Sequence, residues 1–163
     1  MICARVRVDG GYFDLKKVRS KPNELIRFLN GIWTTRDITI TPNKEVKITE
    51  YKEVMKMKDS ETITITALGI DKGKDVTRDM TIKLEGDKVT MSQRDFSAKG
   101  IKNGNLVSLR GTYENQIFDF RLYLMENKYI YQKDVWENNR IVEIQMSYLL
   151  RSKAIQEKKT SRT

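Results

Sequence analysis

The side chains that most often carry catalysis are nearly missing from this sequence. Its 163 residues include no histidine and one cysteine, Cys3. That removes Ser/His/Asp and Cys/His nucleophilic chemistry, His-based zinc sites and haem held by a proximal histidine. A cysteine cluster is excluded with them. Neither a GxxxxGK[ST] loop nor a GxGxxG turn after a strand is present. An ordinary hydrolase, NTPase or Rossmann dehydrogenase is therefore not expected. What can still do chemistry is arginine combined with aromatic surface. Arg36, Arg110 and Arg121 fall in strand-like segments. An arginine pointing inward would pair with a ligand carboxylate, and one pointing outward is simply solvated. Tyr51, Tyr113, Phe118, Phe120, Tyr129, Tyr131, Trp136 and Tyr148 supply aromatic surface, most of it expected in the core.

Such groups need a scaffold, and turn chemistry describes one. Turn signals recur at Pro42-Asn43, Lys58-Asp59, Asp71-Lys72-Gly73, Glu85-Gly86-Asp87, Asn103-Gly104, Glu114-Asn115, Glu126-Asn127 and Asn138-Asn139. Gly and Asn tolerate the positive φ of tight hairpins. The eight turns, nearly evenly spaced, divide the chain beyond the predicted helix into nine strand-sized pieces. Several pieces alternate: Ile63 and Ile65 among threonines, Met80, Ile82 and Leu84, and Phe118, Phe120, Leu122 and Leu124. Val142, Ile144, Met146, Tyr148 and Leu150 alternate with Glu143, Gln145, Ser147 and Leu149. A period of two places each apolar set on one face, expected to be the core face. One helix is predicted over 22–30, with Ser20 or Asn23 as its cap, Pro22 in the first turn and Gly31 as the stop. Sequential hairpins favour an up-and-down antiparallel barrel, because closure removes exposed edges. The fold class is thus all-β, about nine to ten strands with one short N-terminal helix. Ala4–Val8 could add a further strand with Gly10-Gly11 as its exit turn.

The expected organisation is an N-terminal extension over 1–21, the helix and barrel over 22–152, and a basic tail over 153–163. The formal charge is +9, part of it in Lys153, Lys158, Lys159 and Arg162 of that tail. A basic balance eases contact with an acidic protein or with nucleic acid. The lysines do not gather in one stripe with interleaved aromatics, so nucleic acid ranks last. No apolar run is long enough to span a bilayer, and MICARVRVDGG lacks the apolar centre of a secretory signal. With a single cysteine this makes an intracellular, reducing compartment the expectation, cytoplasm or plastid stroma.

Helix, then Gly31-Ile32-Trp33, then a meander ending in Arg151 resembles the calycin (lipocalin-like) superfamily. In that superfamily the Trp plugs one end of the barrel and a basic residue on the last strand lies across it. The resemblance therefore makes Gly31, Trp33 and Arg151 the structural signature. Within the superfamily the chain is most similar to the S-type phycobiliprotein (bilin) lyases. The similar elements are Trp33-Thr34-Thr35-Arg36, Arg110-Gly111-Thr112-Tyr113-Glu114, and Val135-Trp136 followed by Asn139-Arg140. The acidic pair that precedes the second Trp in those lyases is Gln132 and Lys133 here. That departure removes the carboxylates that would manage protons on a tetrapyrrole.

The resemblance implies a small-ligand-binding barrel, a chromophore lyase or chaperone for a bilin or similar apolar acid. No covalently held cofactor and no metal is expected. Arg36 and Arg110 would hold the carboxylates, Tyr113 and Glu114 would face the ring nitrogens, and Tyr131 and Trp136 would line the same pocket. A phycobiliprotein is the implied partner. The alternative is a non-catalytic structural or assembly subunit with a filled interior, docking on an acidic protein. Whether the chain is an enzyme is left open, and with the acidic pair gone binding without efficient transfer is the expectation.

Overall fold

The computed structural model describes residues 5–8, 11–14, 23–43, 45–71 and 73–152. The predicted basic tail and Cys3 lie outside them. β1 (Arg5–Val8) pairs with β2 (Gly11–Asp14) in a separate two-stranded antiparallel sheet, so this stretch does not join the main sheet. Ala4 and Gly10 of the predicted extra strand and turn lie outside the described residues.

One helix follows, α1 (Glu24–Leu29), capped by Asn23, whose Oδ1 accepts from the Ile26 N–H at 2.8 Å. The cap satisfies a backbone donor that a helix start otherwise orphans. Leu25, Ile26 and Leu29 form the buried stripe of the helix.

The remainder is a closed antiparallel barrel of ten strands. They are β3 (Gly31–Ile40), β4 (Val46–Met57), β5 (Thr62–Asp71), β6 (Lys74–Glu85), β7 (Lys88–Gln93), β8 (Phe96–Asn103), β9 (Leu106–Tyr113), β10 (Gln116–Leu124), β11 (Lys128–Glu137) and β12 (Arg140–Arg151). Each pairs with its neighbour in sequence, and β12 returns to β3 to close the wall. Every predicted turn separates two strands. One further turn, Arg94-Asp95, divides β7 from β8. It carries no Gly or Asn, and Arg94 itself adopts the positive φ of 52°. That is why residue types gave no sign of it.

The sequence and structure part company at β12. Ser147 and Leu149 are buried, whereas Met146, Tyr148 and Leu150 are exposed. The apolar set on this strand therefore faces outward. The interior beside it is polar, so Glu143, Gln145 and Ser147 turn inward and the register leaves the apolar positions outside.

α1 and Trp33 close one end. Trp33 is fully buried, its indole N–H donates to the Leu29 carbonyl at 2.8 Å, and its ring meets Tyr129 edge-on at 4.9 Å. The Arg151 guanidinium carbon lies 4.3 Å from the Trp33 ring centroid and 5.6 Å from that of Phe28. Its Nη1 donates to the Asn30 carbonyl at 2.9 Å and its Nη2 to the Phe28 carbonyl. These carbonyls belong to the C-terminal end of α1, where a cation complements the orphaned acceptors. The need for Gly31 follows from the same contact. Its φ is +148°, and a Cβ there would stand 2.7 Å from Arg151 Nη1.

Candidate ligand-binding site

Alternation from the Trp33 plug dictates what lines the barrel. With Trp33 inward, Thr35 and Asp37 must also point inward, and both are buried. Opposite them on β4, Tyr51 and Glu53 face the same interior, while β12 supplies Gln145 and Ser147. Above the plug Thr35, Tyr51, Glu53, Gln145 and Ser147 help to bound a cavity of about 700 Å³, with Asp37 behind Tyr51. It runs from Leu25 and Leu29 to Arg94, Asp95 and Tyr113 near the far turns. The volume falls within the range of small-molecule sites.

The two sides of the cavity differ. On one, Phe96, Phe118 and Phe120 form an aromatic cluster with ring centroids 5.3–6.3 Å apart, and Tyr131 lies 6.0 Å from Phe120. On the other stands a carboxylate–phenol group. The Tyr51 hydroxyl is 2.7 Å from Asp37 Oδ2 and 2.9 Å from Glu53 Oε1. A phenol has one hydrogen and cannot serve two ionised carboxylates at full strength. Burial pushes the Glu53 carboxyl above the usual carboxylate range; the Tyr51 hydrogen bond and the charge of Arg78 oppose the rise, and Asp37 adds to it. Burial and both neighbouring carboxylates keep Tyr51 neutral. Burial likewise keeps Tyr131 neutral.

Two acceptors here lack partners. Asp37 is 9% exposed and its Oδ1 is unbonded; Thr35 is 1% exposed and its Oγ1 is unbonded. Such groups cost about 1–3 kcal/mol each until something bonds them. The cations of the lining are Arg78, Arg94 and Lys133, the last held 2.8 Å from Glu143. The interior can therefore take a long apolar molecule, accept hydrogen bonds from it at one wall, and neutralise acidic substituents at Arg78 or Lys133.

The residues singled out in the sequence divide between two places. Tyr113 and Tyr131 line the cavity. Arg36 and Arg110 lie on the outer wall: Arg36 pairs with Glu50 at 3.3 Å, and Arg110 grips Asp119 through two bonds of 2.6 and 3.0 Å. Arg121 is likewise exposed, alternating with buried Phe120. Arg110 and Trp136 do meet, but in a separate outer depression of about 310 Å³ that they share with Ile117, Asn115, Asn138 and Asn139. Glu114 sits in the β9–β10 turn with φ of 54°. Gly111, between Arg110 and Tyr113, is needed for packing. A Cβ there would stand 2.5 Å from the Ser97 carbonyl and 2.6 Å from the Phe96 ring. Sequence reasoning did not single out Asp37, Glu53 or Arg78. Counting by twos from Trp33 would have placed Asp37 inside.

No family model matches the sequence, and no curated protein does. Among solved structures, the barrel is similar to the S-type phycobiliprotein lyase CPES of Guillardia theta. The TM-score is 0.65 at 10% identity, covering 81% of this chain and 93% of that one. The fold is shared with an S-type phycobiliprotein lyase. It is also similar to a DUF3598-family protein of unknown function from Nostoc punctiforme, with a TM-score of 0.59 at 13% identity over 86% of this chain. This chain covers 54% of that second protein's length. The closed up-and-down barrel is consistent with the calycin resemblance. Among the described residues no helix is long and apolar enough to cross a membrane.

Proposed function

We propose that this chain binds an elongated, largely apolar organic acid bearing N–H donors inside its barrel, an open-chain tetrapyrrole being the ligand that best fits. The observation that carries this reading is the wall of Thr35, with its unbonded hydroxyl, and the Tyr51–Glu53 pair backed by Asp37, opposite the Phe96–Phe118–Phe120 cluster. A conjugated tetrapyrrole brings apolar faces for the aromatic wall and pyrrole N–H groups for buried acceptors. Its propionates would find Arg78 and Lys133. The likeness to a phycobiliprotein lyase supports the same class of ligand, with an apo-phycobiliprotein as the recipient. The role that follows is that of a chromophore carrier. Positions 132 and 133 on β11 carry no carboxylate; a carboxyl lines the cavity from β4 instead, Glu53, with Asp37 behind Tyr51. The alternative, an assembly subunit docking on an acidic partner, rests on the charge of +9 and expects a filled interior. The open cavity favours the carrier.

Visible absorption during titration with biliverdin tests this. Binding shifts and sharpens the long-wavelength band, and Thr35→Val weakens binding roughly tenfold by removing an unbonded acceptor of the cavity wall. No spectral change at tens of micromolar protein (about −6 kcal/mol or weaker) would defeat the reading.

A further inference from the structure

The barrel wall is not of even height. β4, β6 and β12 have twelve residues each, whereas β7, with six, is the shortest of the ten strands. Residues 81–85 of β6 pair with β7. Residues 74–80 have β5 on one side and rise past the β7–β8 turn on the other. The rim is therefore lowest over that turn, and the low point opens into the cavity. Gln93, Arg94 and Asp95 of the hairpin tip belong to the lining, as does Arg78 on the taller strand beside it. Arg78 points inward in alternation with Met80 and Ile82 and is still exposed, which marks an opening. Arg94 holds the first position of a two-residue loop at a φ of 52°. A positive φ there calls for glycine, and an arginine kept in that conformation points to a use for its side chain. Neither guanidinium is in an ion pair among the described residues, and nor is Asp95. Lys133, the remaining cation of the lining, is held by Glu143 at 2.8 Å. At the plug end the lining is aliphatic, with Leu25, Leu29, Val89 and Val107.

We infer that the low rim over the β7–β8 turn is the portal of the cavity, and that Arg78 and Arg94 make it selective for carboxylates. This rests on the ligand class proposed above and assigns that ligand its orientation. The apolar part enters first and lies toward the phenylalanine cluster and the plug, while the acid groups stay at the rim. The charges favour this order. A carboxylate driven to the plug end would pass Glu53 and be buried among aliphatic side chains with no lining cation to meet it. At Lys133 it would have to displace Glu143. At the rim it meets two guanidiniums that no ion pair has to release. Both are exposed in the empty barrel, so they stay solvated until the ligand arrives. Cations at an entrance also draw an acid toward it.

Titrating the full chain with biliverdin and with biliverdin dimethyl ester tests it, because the ester keeps the chromophore and loses both charges. The native chain is expected to bind the acid about tenfold more tightly than the ester. Arg78→Gln and Arg94→Gly each weaken binding of the acid about threefold and leave the ester unchanged, and the two together abolish the preference. Arg94→Gly places glycine at the φ of 52°, so this variant unfolds at the native temperature or above it, and its lost preference is not a lost fold. In stopped-flow mixing the acid associates faster than the ester, an advantage that added salt removes. Equal affinity of the native chain for acid and ester overturns the inference. A preference that survives both arginine changes and disappears in Lys133→Gln overturns it too. Binding of neither pigment defeats the tetrapyrrole reading itself, and this inference with it.

Discussion

Replacing Arg151 tests whether the closed end is held as described. In Arg151→Met the stem and its packing remain, but three interactions go. The guanidinium over Trp33 at 4.3 Å is one, a cation–π contact of about 0.5–2 kcal/mol. The other two are the charged hydrogen bonds to the Asn30 and Phe28 carbonyls. Such bonds contribute about 1.5–3 kcal/mol when well buried and less here, where one is exposed. The chain end keeps other ties, since the Arg151 backbone N–H donates to Asn127 and that of Ser152 to Ile32, each at 2.8 Å. The net expectation is a loss of about 2–4 kcal/mol for Met and about half that for Lys, which keeps charge but not the fork. Urea unfolding followed by tryptophan fluorescence measures it, because loosening the plug exposes the indole of Trp33. A Met variant within about 0.5 kcal/mol of the native chain, or a Lys variant worse than Met, would refute the reasoning.

Glu53 gives a pH dependence of definite sign. Its folded pKa is raised by burial, so its contribution is fully present below the ordinary glutamate pKa and is lost as pH rises through the raised value. Glu53→Gln therefore flattens the stability profile above the ordinary glutamate range, as urea titrations at several pH values would reveal. Gly100→Ala places a Cβ 1.7 Å from the Ser108 carbonyl oxygen, a backbone clash that should cost at least about 3 kcal/mol by thermal unfolding. Arg110→Ala removes a solvated pair on the outer wall and leaves both melting temperature and ligand affinity unchanged. A loss of affinity there would place the ligand in the outer depression rather than in the barrel.

Local chemistry made most of the barrel legible. Paired turn residues mark hairpins whatever the tertiary context, and Asn23 before Leu25 and Ile26 marks a helix start. Where the fold was misread, residue type and role disagreed. Arg94 takes a turn conformation that its type does not advertise. On β12 the apolar residues face outward, because the barrel interior at that level is polar. The site was harder to read for the same reason. Arginine beside aromatic residues looks like a ligand clamp in sequence, but Arg36 and Arg110 have carboxylates directly opposite on adjacent strands, Glu50 and Asp119. Cross-strand pairing, which sequence does not reveal, turned them into surface ion pairs. Asp37 and Glu53 passed unnoticed because single carboxylates among threonines and lysines read as solvated.

The claim that matters most is that a tetrapyrrole lies inside the barrel. A side-by-side titration of the native chain and Gln145→Trp with biliverdin tests it most directly. Gln145 is half-buried on the cavity lining, and an indole there fills space without touching Asp37, Tyr51 or Glu53 by substitution. The account predicts a red-shifted, saturable absorption change for the native chain and its loss, by roughly a hundredfold in affinity, in a variant that still unfolds cooperatively. Equal binding by both proteins, or none by either, would contradict it.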